Sequence, residues 1–125
     1  MTFKNPNEKI YDVHCISTEN KQRIVDFLQG AVYCWCKNRK GEPFSLRKLM
    51  GEENYFWQGT PLFCLYETNK NSDTPVKAAG KCAGWLLKQV LAKDKRVFDT
   101  AGKDRFSNAY KCVDLKNTPS SNAIS

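Results

Sequence analysis

The side chains that could carry out nucleophilic or acid–base chemistry in this 125-residue chain are one histidine, His14, and six cysteines. A cysteine nucleophile needs a base within hydrogen-bond reach, and Cys15 is adjacent to His14. Residues 10–16, IYDVHCI, are typical of a β-strand because they mix β-branched and aromatic residues. Neighbouring side chains of a strand point to opposite faces, so the pair could not act together. We therefore expect no catalytic residue and no enzyme activity.

The cysteine spacing does not favour a metal site. A tetrahedral zinc site is usually built from two closely spaced ligand pairs, and the only close pair is Cys34 and Cys36. On a helix, residues two apart point about 200° away from each other. The other thiols are scattered, at Cys15, Cys64, Cys82 and Cys112. We interpret all six as buried, reduced thiols and predict no metal and no cofactor.

The strongest functional signal is the distribution of positive charge. The chain has 20 Lys and Arg against 13 Asp and Glu, a net charge of +7. Residues 77–116 hold ten basic and four acidic side chains, a balance of +6, whereas residues 1–76 are almost neutral. A localised positive field attracts polyanions such as nucleic acid. The alternative is an ordinary solvated basic surface.

The N-terminus predicts neither export nor membrane insertion. Residues 1–13 contain no apolar stretch like that of a signal peptide, and no run of 18 apolar residues occurs in the sequence. We therefore expect a cytoplasmic protein that has no membrane partner.

Four helices are predicted. The first begins at Ser17 or Thr18, which are N-cap residues, and ends near Asn38. Its predicted buried stripe is Ile24, Phe27, Leu28, Ala31 and Trp35. Two shorter helices follow, one after the cap at Ser45 and one over residues 61–69.

The longest helix is predicted over residues 75–93, where Pro75 supplies a preset first turn. Its core side contains Ala79, Ala83, Leu86, Leu87 and Val90. Lys77, Lys81, Gly84 and Lys88 lie within about 60° of each other on the opposite side. Each of Gly80 and Gly84 costs a helix up to about 1 kcal/mol, which suggests close packing there. The gap at Gly84 would also let a phosphate backbone approach the helix.

A β-hairpin is predicted after this helix. Its strands are residues 96–100 and 105–114, and AGKD at 101–104 is the predicted turn because Gly102 can adopt the φ that a tight turn demands. We expect a single domain over residues 10–116, a loose N-terminus at 1–9 and a disordered tail at 117–125.

The order of these elements resembles that of the winged-helix DNA-binding domains, over residues 18–113. The resemblance implies an α+β, winged-helix-like fold: four helices, then a C-terminal hairpin wing, which a short N-terminal strand could join. In that family the helix before the wing enters the major groove of duplex DNA, and the wing contacts the backbone or minor groove. If the same roles apply to this chain, the residues that face the groove are Lys77, Lys81, Trp85, Lys88 and Gln89. The residues that contact DNA from the wing are then Lys95, Arg96, Lys103 and Arg105. The implied role is a small transcription regulator or accessory factor that favours phosphate contacts, because lysine dominates.

The aromatic run Tyr55, Phe56 and Trp57 leaves a second function open. At least two of these rings are expected to pack between helices. Exposed, they could instead insert into a pocket of a protein partner. The alternative function is therefore an interaction module that docks an acidic protein through residues 55–57 and the basic face.

Overall fold

The first helix, α1, covers Thr18–Asn38 in a computed structural model that describes residues 3–5, 7–51, 57–105 and 107–113. Ser17 Oγ accepts a hydrogen bond from the Asn20 N–H, which confirms the predicted N-cap. The buried residues of α1 follow a four-residue spacing, as Ile24, Leu28, Val32 and Cys36. The predicted stripe is therefore displaced: Phe27, Ala31 and Trp35 are only half-buried.

The described residues form four helices and a three-stranded antiparallel sheet, so the α+β class is confirmed. After α1 the elements are β1 (Phe44–Ser45), α2 (Leu46–Leu49), α3 (Phe63–Asn69), α4 (Pro75–Lys93), β2 (Val97–Asp104) and β3 (Ser107–Val113). None of the helices in this part of the chain has the length and apolar character needed to cross a bilayer.

Helix α4 is the central element of the core. It begins at Pro75, whose missing N–H costs nothing in the first turn of a helix, and it ends at Lys93 as predicted. All five predicted core residues of α4 are buried, and Leu91 joins them. Both α1 and α3 pack against α4. The apolar face of α4 is thus covered, and its opposite face remains for other contacts.

The sheet has the order β1-β3-β2, with β3 in the centre. β1 pairs with β3 through Phe44 opposite Tyr110 and Ser45 opposite Ala109. The two residues of β1 are too few to produce an alternating pattern, so the sequence does not predict this strand. The β2–β3 hairpin is consequently paired along one edge, rather than being an isolated two-stranded ribbon.

The predicted turn of the hairpin is wrong. Asp104 pairs with Ser107, so the reversal follows Asp104 and AGKD belongs to β2. Arg105 occupies the turn with φ +58°, a conformation that few side chains adopt. Gly102 has φ +80° and lies in an irregularity of the pairing between Thr100 and Lys103. Its freedom at positive φ therefore serves a bulge rather than the turn.

The predicted strand at residues 10–16 is also wrong, because this segment is irregular and lies outside the sheet. Asp12 Oδ1 accepts a hydrogen bond from the Val13 N–H at 2.8 Å. Such local bonds from side chain to backbone compete with strand pairing. Two residues of the N-terminal segment contact the core: Phe3 is buried, and the Lys4 N–H donates to the Phe98 carbonyl at 2.8 Å.

Candidate nucleic-acid interface

The outer face of α4 lines a cleft of about 910 Å³. Lys77, Lys81, Gly84 and Lys88 all line it, which confirms that they share one face of the helix. The other sides come from four further parts of the chain: Tyr11, Leu46 of α2, Trp57 before α3, and Ser107, Asn108 and Tyr110 of β3. The cleft therefore combines basic side chains with aromatic rings that are far apart in the sequence.

The helix surface is open at both of its glycines. A Cβ built at Gly80 or at Gly84 would meet no atom within 4 Å, apart from the neighbouring residues and the helix's own backbone. The prediction that these glycines mark close packing is therefore wrong. Because both residues line the cleft, the open surface lets a ligand reach the backbone of α4.

Lys77 and Lys81 are the cations of the cleft that remain accessible. Both are exposed, and neither forms an ion pair with any other residue in the described ranges. They lie four residues apart, so they are neighbours on the helix surface. The Lys81 Nζ lies 5.3 Å from the centroid of the Trp85 ring. Two positive charges thus stand beside an aromatic surface.

Lys88 and Gln89, by contrast, bind the N-terminal segment. Lys88 Nζ lies 2.6 Å from Glu8 Oε1, and these two side chains are only 15% and 18% exposed. Gln89 Nε2 donates to the Tyr11 carbonyl and to Asp12 Oδ1, both at 2.9 Å. We call residues 8–12 the strap. The polar ends of Lys88 and Gln89, which were predicted to face a DNA groove, are therefore engaged by the strap in this structure.

Asp12, the last residue of the strap, forms an ion pair with Lys21 of α1. Lys21 Nζ donates to Asp12 Oδ1 at 2.6 Å. This hydrogen bond, followed by those from Gln89 and from the Val13 N–H, holds the pKa of Asp12 well below its usual range. The carboxylate therefore stays ionised at neutral pH. Sequence patterns gave no signal for the strap, because Gln89 and Asp12 are 77 positions apart.

We predict that Lys88→Glu lowers the free energy of unfolding by about 2–3 kcal/mol, because it places two carboxylates against each other at a site that water barely reaches. Urea denaturation at pH 7 measures the change. Lys77→Glu is the matched control, since an exposed, unpaired lysine should change stability by no more than about 0.5 kcal/mol. The exchange Glu8→Lys/Lys88→Glu should recover part of the loss. Equal stability of the two single variants would contradict the buried ion pair.

The wing residues Lys95 and Arg96 lie away from the two accessible lysines. They follow the C-terminal end of α4, about 18 Å along the helix axis from Lys81. Arg96 is also engaged: its guanidinium contacts the Asp94 carboxylate through Nε and Nη2, at 2.8 and 2.6 Å, and lies over the Tyr33 ring. Lys95 is exposed. The expected single basic patch is therefore divided.

Lys103 and Arg105 lie at the other end of the hairpin. Lys103 pairs across the hairpin with Asn108, and Asn108 lines the cleft. Cross-strand partners place their side chains on the same face of a sheet, so Lys103 lies beside a residue of the cleft, although Lys103 itself does not line it. Arg105 is exposed at the turn. These two residues could extend a basic surface from the cleft onto the wing.

The residues considered for chemistry differ in exposure and in their contacts. His14 is exposed, and its Nδ1 lies 3.9 Å from Asp12 Oδ2. Burial, followed by the neighbouring Cys15, raises the pKa of the Cys82 thiol and keeps it protonated. No two of the six cysteines, all of which lie in the described ranges, form a disulfide, but Cys15 and Cys34 are exposed, so the expectation of burial is wrong for these two. Within the described ranges, no three metal-ligating side chains form a cluster.

The predicted aromatic run is described only at its last residue. Tyr55 and Phe56 lie outside the described residues. Trp57 is half-buried and lines the cleft. No described residue accepts a hydrogen bond from its buried Nε1–H, and its side chain packs against the hydrophobic core.

No protein-family model, curated protein or solved structure matches this chain.

Proposed function

We propose that this protein binds nucleic acid through the cleft beside α4. The observation that carries the proposal is the position of Lys77 and Lys81, which are exposed and unpaired among the described residues and lie in one cleft with open helix backbone and aromatic rings. A lysine that contacts a phosphate releases a condensed counterion, which favours binding at low salt. The helix surface at Gly80 and Gly84 leaves room for the approach of a sugar–phosphate backbone.

Docking on duplex DNA in the manner of a winged helix is one form of this proposal. It is supported by the element order, in which four helices precede the β2–β3 hairpin, and by the exposure of Lys103 and Arg105 next to the cleft. The protein would then act without catalysis, as a small transcription regulator or accessory factor. We place it in the cytoplasm, where its six free thiols would stay reduced.

The test removes the two accessible charges. We predict that Lys77→Gln/Lys81→Gln weakens binding to nucleic acid about 10- to 100-fold at 50 mM salt. A hydrogen bond to a charged group contributes about 1.5–3 kcal/mol. Neighbouring cations would replace part of the lost attraction to phosphate, so the loss of affinity should be smaller than two full contacts. The slope of log K against log salt should become shallower by about 1.4–1.8, the value for two lost phosphate contacts. Fluorescence anisotropy of labelled oligonucleotides between 50 and 200 mM salt measures both quantities.

The matched control is Lys37→Gln/Lys40→Gln, which removes the same charge from exposed positions at the end of α1. It should change affinity only slightly, through the overall field. If both double variants weaken binding equally, net charge and not the cleft is responsible, and the proposal is contradicted.

A second candidate function is docking of an acidic protein partner. The position of Trp57 in the cleft favours it, because a half-buried tryptophan beside two lysines could anchor an acidic peptide. The same titration separates the two functions: an interaction module would show no measurable affinity for any oligonucleotide at 50 mM salt.

A further inference from the structure

We propose that the cleft binds an unpaired nucleic acid strand, with bases stacked on Tyr11 and phosphates held by Lys77 and Lys81. This inference rests on the proposed function and deepens it, because it selects a single strand over the duplex that the element order alone predicts.

The shape of the cleft argues against a duplex. A helix that reads the major groove has to protrude, because the groove is about 12 Å wide and about 8.5 Å deep. Here the outer face of α4 is recessed, since residues of the strap, α2, the loop before α3 and β3 line the same cleft. A narrower polymer, whose bases are free to turn toward the protein, fits such a cleft better than a rigid double helix.

The aromatic lining of the cleft includes an exposed ring on which an unpaired base can stack. Tyr11 is 50% exposed although it lines the cleft, and its ring packs on Trp85 with centroids 5.5 Å apart and planes at 43°. One side of the Tyr11 ring is therefore supported by the protein, and much of the rest is open to a ligand. Stacking of a base on such a ring increases affinity about 5- to 150-fold, with little dependence on base identity.

Lys77 and Lys81 are spaced so that both can contact the backbone of one nucleic acid strand. Lys77 and Lys81 are one helical turn apart, about 6 Å along the axis of α4, and Trp85 lies one turn further along the same helix. A backbone that runs along α4 would thus meet two positive charges and then the Tyr11–Trp85 pair. Charge and stacking together distinguish a nucleic acid strand from a polyanion that has no bases.

The experiment compares three polyanions with the full chain at 100 mM salt: fluorescein-labelled dT20, the dA20·dT20 duplex and labelled polyglutamate of similar charge. We expect dT20 to bind at least tenfold more tightly than the other two, and to quench tryptophan fluorescence on binding. Equal affinity for dT20 and the duplex would overturn the inference but leave the proposed function intact. Polyglutamate that binds as tightly as dT20 would show that the cleft selects charge alone, which also overturns it. Failure of both nucleic acids to bind at 50 mM salt would overturn the proposed function itself.

Variants of Tyr11 identify the stacking ring. Tyr11→Leu keeps an apolar side chain on Trp85 but removes the ring, and it should weaken dT20 binding at least fivefold while the duplex affinity stays unchanged. Tyr33→Leu is the matched control, because Tyr33 is 53% exposed but lies outside the cleft. Tyr11→Phe should bind dT20 like the wild type, because it keeps the ring and removes only the hydroxyl group. Unchanged dT20 affinity in Tyr11→Leu would overturn the assignment.

Discussion

Replacement of Phe44 by alanine is expected to lower the free energy of unfolding by about 3–5 kcal/mol, the cost of removing a buried phenyl ring. Phe44 is fully buried. Its ring contacts Trp35 of α1 and Phe98 of β2, both with centroids 6.1 Å apart, and Tyr110 of β3 at 6.3 Å. The cavity would therefore open between the helices and the sheet, where no single neighbour can fill it. Tyr110 also lines the cleft, so this core supports the candidate site.

Urea denaturation followed by circular dichroism measures this effect. For a total stability of about 5–15 kcal/mol and a denaturant slope of about 2 kcal/mol/M, the midpoint should fall by about 2 M without a change of slope. Phe44→Leu, which keeps most of the apolar volume, should lose less than half as much. Val76→Ala is a control at an exposed position and should change stability by about 0.5 kcal/mol or less. If Phe44→Ala lowered the free energy of unfolding by less than about 1 kcal/mol, the conclusion that this ring is a main contributor to core packing would be contradicted.

The second large effect is expected at Asp94, which joins three elements at the end of α4. Its side chain is 3% exposed, and it accepts four hydrogen bonds: from the backbone N–H, Nε and Nη2 of Arg96 and from Nε2 of Gln29 on α1. Burial alone would raise the pKa of Asp94, but the bonds from Arg96 and Gln29 outweigh it and lower the pKa below its ordinary value. The carboxylate is thus more favourable in the folded protein than in the unfolded chain.

We predict that Asp94→Asn lowers stability by about 3 kcal/mol at pH 7, at the low end for breaking a buried ion pair, because Arg96 is 28% exposed and can still reach water. A group whose pKa is lowered on folding contributes stability above its unfolded pKa of about 3.9 and loses that contribution as the pH falls further. The difference in free energy of unfolding between Asp94→Asn and wild type should therefore have its largest value at pH 7 and become smaller below about pH 4.

Urea denaturation of both proteins at pH 7 and at pH 3 tests this pH dependence. Asp73→Asn, at an exposed position in the loop before α4, is the matched control and should cost about 0.5 kcal/mol or less at either pH. A difference between Asp94→Asn and wild type that is the same at both values of pH would show that the lost packing, and not the charge, is responsible.

Local signals in the chain were sufficient for the starts of three helices, whereas α3 begins at Phe63 rather than at the predicted residue 61. Ser17, Ser45 and Pro75 are at the predicted starts, because caps and a preset first turn act through residues three or four positions away. The core side of α4 was likewise predictable, since one apolar face of a helix has to be buried wherever the helix lies. The same periodicity placed Lys77, Lys81 and Lys88 together on the opposite face.

Contacts between distant segments were not predictable in this way. β1 forms only because two residues pair with the edge of β3. The hairpin turn includes Arg105, rather than residues 101–104, because the pairing of β2 with β3 continues past the bulge at Gly102. In both cases the free energy comes from a partner strand, whose position the local residues do not encode.

The composition, the positions of the helices and the basic face of α4 were therefore determined by the sequence alone, because they depend on charge counts and on the 3.6-residue period. Only the tertiary structure decided which of the basic residues are accessible. Glu8 pairs with Lys88, Asp94 with Arg96, and Lys77 and Lys81 remain open beside Tyr11. The physical reason is that an ion pair or a cleft requires groups to meet in space, and segments far apart in the chain meet only after the core has formed.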